Sequence, residues 1–121
     1  MKKIKTKKKG EKYVNKIKTQ LEELGWVICK AYPSFMRFNN KFFTKSNDFF
    51  GCIDIIAKKK GYPTRWIQAT TIANKSIKEK EILQNDFWGN RDQVEIWCKV
   101  PRKESRIFRL CGGKFEEVEV S

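Results

Sequence analysis

Histidine is absent from this 121-residue chain, and its absence removes several kinds of chemistry at once. Histidine is the commonest general base near neutral pH, and Ser–His and Cys–His nucleophile systems depend on it. If the protein is an enzyme, carboxylates, lysines and a hard metal ion must therefore supply the chemistry.

Clustered cysteines and long apolar runs are also missing. The four cysteines are widely spaced and form no Cys-x-x-Cys pair, which argues against a structural zinc site. We interpret them as buried thiols in preference to disulfides or metal ligands. No stretch approaches the length of a membrane span, and the N-terminus lacks the apolar region of a signal peptide. We therefore expect a cytoplasmic protein.

Acidic residues are few compared with basic ones. The chain holds 27 lysines and arginines against 14 acids, a net charge of +13. Residues 1–9 hold six lysines and no acid, which leaves +7 on the remainder. We expect residues 1–9 to form a flexible basic arm and residues 10–121 to form a single domain. A body that stays basic favours nucleic acid as the partner, DNA in preference to RNA, over an acidic membrane surface.

The pattern of residues 48–71 predicts a β-hairpin. Two apolar runs, 52–57 and 66–69, flank a turn that contains glycine and proline. Because side chains alternate between the faces of a strand, Asp54 and Gln68 can share one face if the register permits. Asp54 is the anomaly, since a carboxylate is rarely buried without a partner or a metal ion.

The remaining patterns predict an α/β domain with a mixed sheet flanked by two helices, in the order α-β-β-β-α-β with an added C-terminal hairpin. The apolar spacing predicts a first helix that starts near Gly10 and stops at Gly25. A capping-box pattern at Ser76 predicts a second helix that ends near residues 88–90. The expected strands outside the central hairpin are residues 25–32, 93–100, 106–111 and 115–120.

Residues 33–47 are rich in aromatic and basic side chains. The segment either extends two strands into a long hairpin or forms a flap. Interleaved aromatic and basic side chains suit stacking on bases and pairing with phosphates, although a flap packed on the body explains them equally well. The candidate nucleic-acid contacts in the chain are Arg37, Lys41, Lys45, Lys58, Lys59 and Lys75.

Three motifs in order resemble the PD-(D/E)xK nuclease superfamily, closest to small archaeal Holliday-junction-resolvase-like and phage nucleases. They are Gly10-Glu11 opening a helix, Gly51-Cys-Ile-Asp54-Ile-Ile-Ala, and Trp66-Ile-Gln68-Ala-Thr70. The resemblance covers roughly residues 10–85 and implies a restriction-endonuclease-like fold. It also implies that Glu11, Asp54 and Gln68 bind Mg²⁺ or Mn²⁺, with the Ala69 carbonyl as a further ligand. Glu11 has a simpler interpretation as a carboxylate at a helix N-terminus.

The chain departs from the family where Glu-x-Lys is expected, because it has Gln68-Ala69-Thr70. Glutamine removes one negative charge from the metal site, and threonine removes the cation that assists the attacking water. Lys78, Lys80 or Lys75 could replace the missing lysine, or Thr70 could position the water.

Three hypotheses follow. The leading one is a metal-dependent endonuclease that hydrolyses DNA phosphodiester bonds, resolvase-like or structure-selective. The alternative is a nuclease fold that binds nucleic acid without cleaving it. The third is a basic interaction protein in which Asp54 is satisfied internally. Resolvase-like members of the family are dimers, so the resemblance is also compatible with a homodimer.

Overall fold

The structure is a computed structural model, and it describes the backbone of residues 2–31, 34–38, 41–45, 49–50, 52–89 and 91–119. Side chains are described for residues 12–31, 49–50, 52–89 and 91–119. No helix in these ranges is long and apolar enough to cross a membrane. The elements, in chain order, are α1 (Lys2–Glu23), β1 (Val27–Lys30), β2 (Ser34–Phe38), β3 (Lys41–Lys45), β4 (Ile55–Lys58), β5 (Thr64–Thr71), a 3-10 turn (Ile72–Asn74), α2 (Lys75–Leu83), β6 (Asp92–Lys99), β7 (Arg106–Cys111) and β8 (Lys114–Val118).

Six strands form one mixed sheet in the order β1-β4-β5-β6-β7-β8, and β2 pairs with β3 in a separate hairpin. Strands β5 and β6 are parallel and are joined by α2, whereas the other neighbours are antiparallel. The predicted α/β class, mixed sheet and two helices are confirmed. Within residues 33–47 the structure has a hairpin, but it forms a sheet of its own and is not paired with the six-stranded sheet.

Apolar side chains cover both faces of the sheet. On one face, α1 contributes Tyr13, Ile17 and Leu21 to a cluster with residues of β4, β5, β6 and β7. On the other face, Ile82 of α2 packs with a second cluster that includes Val94, Ile96 and Cys98 of β6. We call these the α1 face and the α2 face. The middle of β6 is buried on both sides, from Val94 to Cys98.

The central hairpin forms as predicted, with β4 and β5 antiparallel. Ile55 lies opposite Ile67, Ile56 opposite Trp66, and Ala57 opposite Arg65. Ile55 and Ile67 belong to the cluster on the α1 face, whereas Ile56 and Trp66 pack on the α2 face. Strict alternation in both strands explains this division.

Helix α1 is longer than predicted, because it begins at Lys2 rather than near Gly10. Apolar spacing marks only the part of a helix that packs on a core, whereas lysine is itself a good helix former and extends the helix beyond that part. The predicted end is confirmed. Gly25 has φ +94°, its N–H donates to the Glu22 carbonyl and the Trp26 N–H donates to the Leu21 carbonyl, which together form a Schellman motif.

Both predicted ends of the second helix are wrong. The N-cap is Asn74, and Ser76 lies inside the first turn, because the 3-10 turn after β5 starts the helix earlier. The helix ends at Leu83, not near residue 88, and the Trp88 indole N–H donates to the Ile82 carbonyl at 3.1 Å. Trp88 and Phe87 instead join Phe50 and Trp66 in an aromatic cluster with ring centroids 4.7–6.2 Å apart.

The cysteines divide into two kinds, and all four are free thiols. Cys52 and Cys98 are buried, as predicted, whereas Cys29 and Cys111 are exposed. The prediction is wrong for the last two because Cys29 lies on an edge strand and Cys111 ends β7 at the outer hairpin.

Candidate functional site

Asp54 stands immediately before β4, where its backbone joins two neighbouring strands. Its N–H donates to the Ile67 carbonyl at 2.9 Å, and its carbonyl accepts from the Ala31 N–H at 2.8 Å. The β4–β5 pairing ends at Ile55 and Ile67, and the Asp54 N–H bonds the carbonyl of that same Ile67. Asp54 therefore lies beside the Gln68–Ala69 stretch of β5, and its carboxylate contacts Ala69.

The carboxylate of Asp54 binds the backbone of β5. Its Oδ2 accepts a hydrogen bond from the Ala69 N–H at 2.9 Å. This donor lies beyond Ile67, the last residue of β5 that pairs with β4, so a side chain takes the place of the missing strand. The contact supports, in part, the hypothesis that Asp54 is satisfied internally.

Gln68 is the unusual residue of the site, because it is only 4% exposed and incompletely bonded. Its Nε2 donates to the Ala69 carbonyl at 3.1 Å, which determines the orientation of the amide, since the reverse orientation would place two oxygens together. Its Oε1 is the one buried side-chain nitrogen or oxygen in the described residues without a hydrogen-bond partner. A buried acceptor left in this way costs about 1–3 kcal/mol.

The donor set at this position suits a hard cation. The Asp54 carboxylate accepts from the Ala69 N–H, and the Gln68 amide donates to the Ala69 carbonyl. A carboxylate and an unpartnered amide oxygen therefore belong to one short stretch of the sheet. Mg²⁺ takes oxygen ligands and is often held by one or two carboxylates plus waters and substrate phosphates. The described side chains contain no group of three or more His, Cys, Asp or Glu, so a metal ion here would need ligands from outside that set.

Glu11 belongs to α1, and its side chain lies outside the described residues. One helical turn later, Asn15 Oδ1 accepts from Lys30 Nζ at 2.7 Å, and Lys30 directly precedes the Ala31 that bonds Asp54. The helix backbone thus passes the sheet edge where Asp54 lies. The metal role of Glu11 stays a prediction. Its interpretation as an acid at the helix N-terminus is wrong, because α1 begins nine residues earlier, at Lys2.

The residues proposed to replace the missing lysine lie on or beside α2. Thr70 is half-buried, two residues after Gln68. Lys75 Nζ bonds Glu79 at 2.7 Å and lies 4.3 Å from the centre of the Phe108 ring. Lys78 Nζ is 3.3 Å from Glu81, and Lys80 is exposed in the last turn. Any catalytic role of these side chains stays a prediction.

The predicted nucleic-acid contacts whose side chains are described, Lys58, Lys59 and Lys75, lie in separate places. Lys59 Nζ donates to the Leu24 carbonyl at 2.8 Å and lies 5.0 Å from the Tyr62 ring centre, so it caps the C-terminus of α1. Lys58 is exposed at the end of β4 that is opposite Asp54. The side chains of Arg37, Lys41 and Lys45 lie outside the described residues.

A buried ion network on the α1 face was not predicted. Glu95, fully buried in β6, accepts hydrogen bonds from Arg65, Arg109 and the Trp97 indole, at 2.7–3.2 Å. The available signal was an acid in an apolar strand, the same signal that singled out Asp54. Its arginine partners come from β5 and β7, and pairing across strands is not evident from local spacing.

No family model, curated protein or solved structure matches the chain. The function is therefore inferred from the geometry of Asp54, Gln68 and the surrounding charges.

Proposed function

We propose that the protein is a metal-dependent nuclease with a restriction-endonuclease-like fold, which hydrolyses phosphodiester bonds in DNA at the sheet edge formed by Asp54 and Gln68. The observation that carries the proposal is the buried Gln68 Oε1, which has no partner among the described residues. The amide of Gln68 and the carboxylate of Asp54 both bond the backbone of Ala69. The helix, sheet and crossover order of α1, β1, β4, β5, α2 and β6 supports the same class of fold.

The roles of the residues follow from their positions. Asp54 and the Gln68 amide oxygen would hold Mg²⁺ or Mn²⁺, with Glu11 as a further carboxylate. Such an ion polarises phosphoryl oxygens and lowers the pKa of bound water, which a poor electrophile such as a phosphodiester requires. The hydrogen bond to Ala69 orients the Asp54 carboxylate. Thr70, at the position of the family's lysine, would orient a water molecule by hydrogen bonding and cannot supply a positive charge.

A second candidate is a protein that binds nucleic acid without cleaving it. Two observations favour it: the lysine position holds Thr70, and the Asp54 carboxylate already has a structural bond. The net charge of +13 serves binding in either case.

The test is cleavage of plasmid, single-stranded and four-way-junction DNA with Mg²⁺ or Mn²⁺, comparing wild type, Asp54→Asn and Asp54→Ala. Asparagine retains an acceptor for the Ala69 N–H and removes the negative charge, so Asp54→Asn should fold normally and lose cleavage. Alanine also leaves the Ala69 donor unbonded, which should cost a further ~1–3 kcal/mol of stability.

Asp86→Asn is the matched control, because Asp86 is exposed and its loss of charge is the same. Cleavage by wild type and Asp86→Asn, together with its loss in Asp54→Asn, would establish the nuclease. Equal cleavage by all variants would remove Asp54 from the site. Binding without cleavage by wild type, with every metal and substrate, would establish the second candidate.

A further inference from the structure

An open groove of about 930 Å³ lies between α1 and the segment that joins β6 to β7. Its lining contains one acid, Glu104, and six basic residues: Lys12, Lys16, Lys99, Arg102, Lys103 and Arg106. Three separate parts of the chain supply these cations: α1, the end of β6 and the following turn. The fold therefore concentrates positive charge that the sequence distributes over 95 positions.

Most of these cations have no partner within the described part of the chain. Arg106 is an exception, because it makes two hydrogen bonds to Glu117, at 2.8 and 3.1 Å. The other five are exposed, and no hydrogen bond or ion pair to a described residue satisfies them. Six cations against the single acid Glu104 leave an excess of positive charge in the groove, which a bound polyanion would neutralise.

The turn at the rim of the groove has an unusual backbone. Arg102 has φ +61°, in the left-handed region that non-glycine residues rarely adopt, and the Lys103 N–H donates to the Val100 carbonyl at 3.2 Å. This conformation costs roughly 1–2 kcal/mol for an L-residue. The turn places two adjacent cations, Arg102 and Lys103, at the groove. Glycine or asparagine would adopt this backbone conformation more easily but would supply no charge.

The groove and the candidate site lie at the same ends of the central strands. Lys99, at the end of β6, is paired with Thr71 at the end of β5, and Asp54 stands at the adjacent end of β4. Neighbouring strands are about 4.8 Å apart, so roughly 10 Å separates β6 from β4 at these ends. The groove lies on the α1 face and Gln68 on the α2 face, so one extended polyanion that contacts both places must pass over these strand ends.

We infer that this groove binds the phosphate backbone of the nucleic-acid strand whose scissile bond lies at Asp54 and Gln68; this inference rests on the proposed function. We assign a nucleic-acid strand rather than a lipid surface as its occupant, because the proposed site of phosphodiester hydrolysis lies at the same ends of the strands. Lys58 and Lys59, which were proposed from the sequence as contacts, lie at the opposite ends of these strands.

The test compares two triple variants with the same change of charge. The groove variant is Lys16→Gln/Arg102→Gln/Lys103→Gln. The control is Lys60→Gln/Arg91→Gln/Lys114→Gln, three exposed cations near the opposite edge of the sheet. Binding of labelled single-stranded and duplex DNA is measured by fluorescence anisotropy in EDTA, between about 50 and 200 mM salt.

Each lost phosphate contact lowers the slope of log K against log salt by about 0.7 for single strands and 0.9 for duplex. The groove variant should therefore lose about 2 units of slope on single strands and nearly 3 on duplex, and the control should lose less than about one. Equal losses in both variants would show diffuse charge only and overturn the inference. The inference is also overturned if the groove variant binds DNA as tightly as the wild type does. A groove variant that loses binding to anionic phospholipid vesicles but retains binding to DNA would overturn it as well.

Asp54→Asn separates this inference from the proposed function. Its slope in EDTA should equal that of the wild type, because Asp54 contributes no cation. If the wild type does not cleave DNA with any metal but the groove variant alone loses slope, the nuclease proposal fails while the binding site stands.

Discussion

Two buried polar side chains on neighbouring strands differ in how completely they are bonded. Glu95 on β6 lies opposite Ile67, and Gln68 on β5 lies opposite Ile96, so one residue separates them along the sheet. Glu95 is 0% exposed, and both of its oxygens accept hydrogen bonds. Gln68 is 4% exposed, and its Oε1 accepts none from the described residues.

The difference follows the two faces of the sheet. On the α1 face, two arginines and an indole surround the Glu95 carboxylate, and the charge is neutralised within the core. On the α2 face, the Asp54 carboxylate accepts from the Ala69 N–H and the Gln68 amide donates to the Ala69 carbonyl, and neither contact neutralises the carboxylate charge. A fully bonded network specifies structure, whereas an incompletely bonded one beside a carboxylate is suited to a ligand. We therefore expect substitutions of Glu95 to affect folding and substitutions of Gln68 to affect metal binding.

The largest effect should come from Glu95→Gln. The substitution keeps the shape of the side chain but removes the negative charge that the buried Arg65 and the partly buried Arg109 bind. Breaking a buried ion network in this way costs about 3–5 kcal/mol. Urea unfolding of the apo protein measures the loss.

The control for this variant is Glu117→Gln, which removes the partner of Arg106 in an exposed pair. Its urea midpoint should stay close to that of the wild type, because water screens such pairs. Similar midpoints for Glu95→Gln and the wild type would refute the structural role of the network.

A smaller effect of the opposite kind should come from Gln68→Leu. Removing the buried Gln68 Oε1, which has no partner among the described residues, recovers part of the ~1–3 kcal/mol that its burial costs. The hydrogen bond from Nε2 to the Ala69 carbonyl is lost at the same time. Without metal, the variant should therefore be nearly as stable as the wild type. With Mn²⁺ at about 100 times its dissociation constant, the wild type should gain roughly 2.7 kcal/mol of stability. The variant should gain much less, and thermal unfolding with and without the metal measures the difference.

Gln93→Leu serves as the matched control, since Gln93 is a half-buried glutamine on β6 at the opposite edge. It should retain the full stabilisation by Mn²⁺. An equal gain in Gln68→Leu and the wild type would exclude Gln68 as a ligand. Gln68→Glu should increase the gain, because it adds a negative charge to the site.

Local patterns predicted the parts of this fold whose cause is local. Alternation of apolar residues predicted the hairpin of β4 and β5, which brings Asp54 to Ala69, the neighbour of Gln68. Gly25 predicted the end of α1, because the Schellman motif requires a positive φ at that residue. Each of these features depends on residues a few positions apart.

Features that depend on distant residues were missed. The partners of Glu95 come from 30 positions earlier and 14 positions later in the chain. Lys59 caps α1 from 35 positions away, so its sequence context suggested a free cation. The basic groove likewise combines α1 with the turn after β6, and its cations were counted in the net charge without being located.

The smallest effect concerns Tyr13, a buried residue of the α1 face whose side chain also lines the basic groove. Its hydroxyl donates to Ser105 Oγ at 2.8 Å, and burial raises the pKa of the phenol from 10.0 to about 12. Because the folded protein holds this proton more tightly than the unfolded chain, the contribution is complete below about pH 10 and is lost as the pH rises through 12. Tyr13→Phe should cost about 0.5–1.5 kcal/mol at pH 7 through the lost hydrogen bond. The gap from wild type should then shrink between pH 10 and 12.

Unfolding in urea across pH 8–12 distinguishes this contribution from the alkaline loss that both proteins share. Burial also raises the pKa of Cys98, from 9.0 to about 11, so wild type and variant both lose stability in that range, and only the difference between them reports on Tyr13. Tyr62→Phe is the control for the loss of a phenol hydroxyl, because Tyr62 is exposed. A constant gap for Tyr13→Phe would mean that the phenol is well solvated. The wall of the groove would then be open to water at the point where Tyr13 joins it to the core.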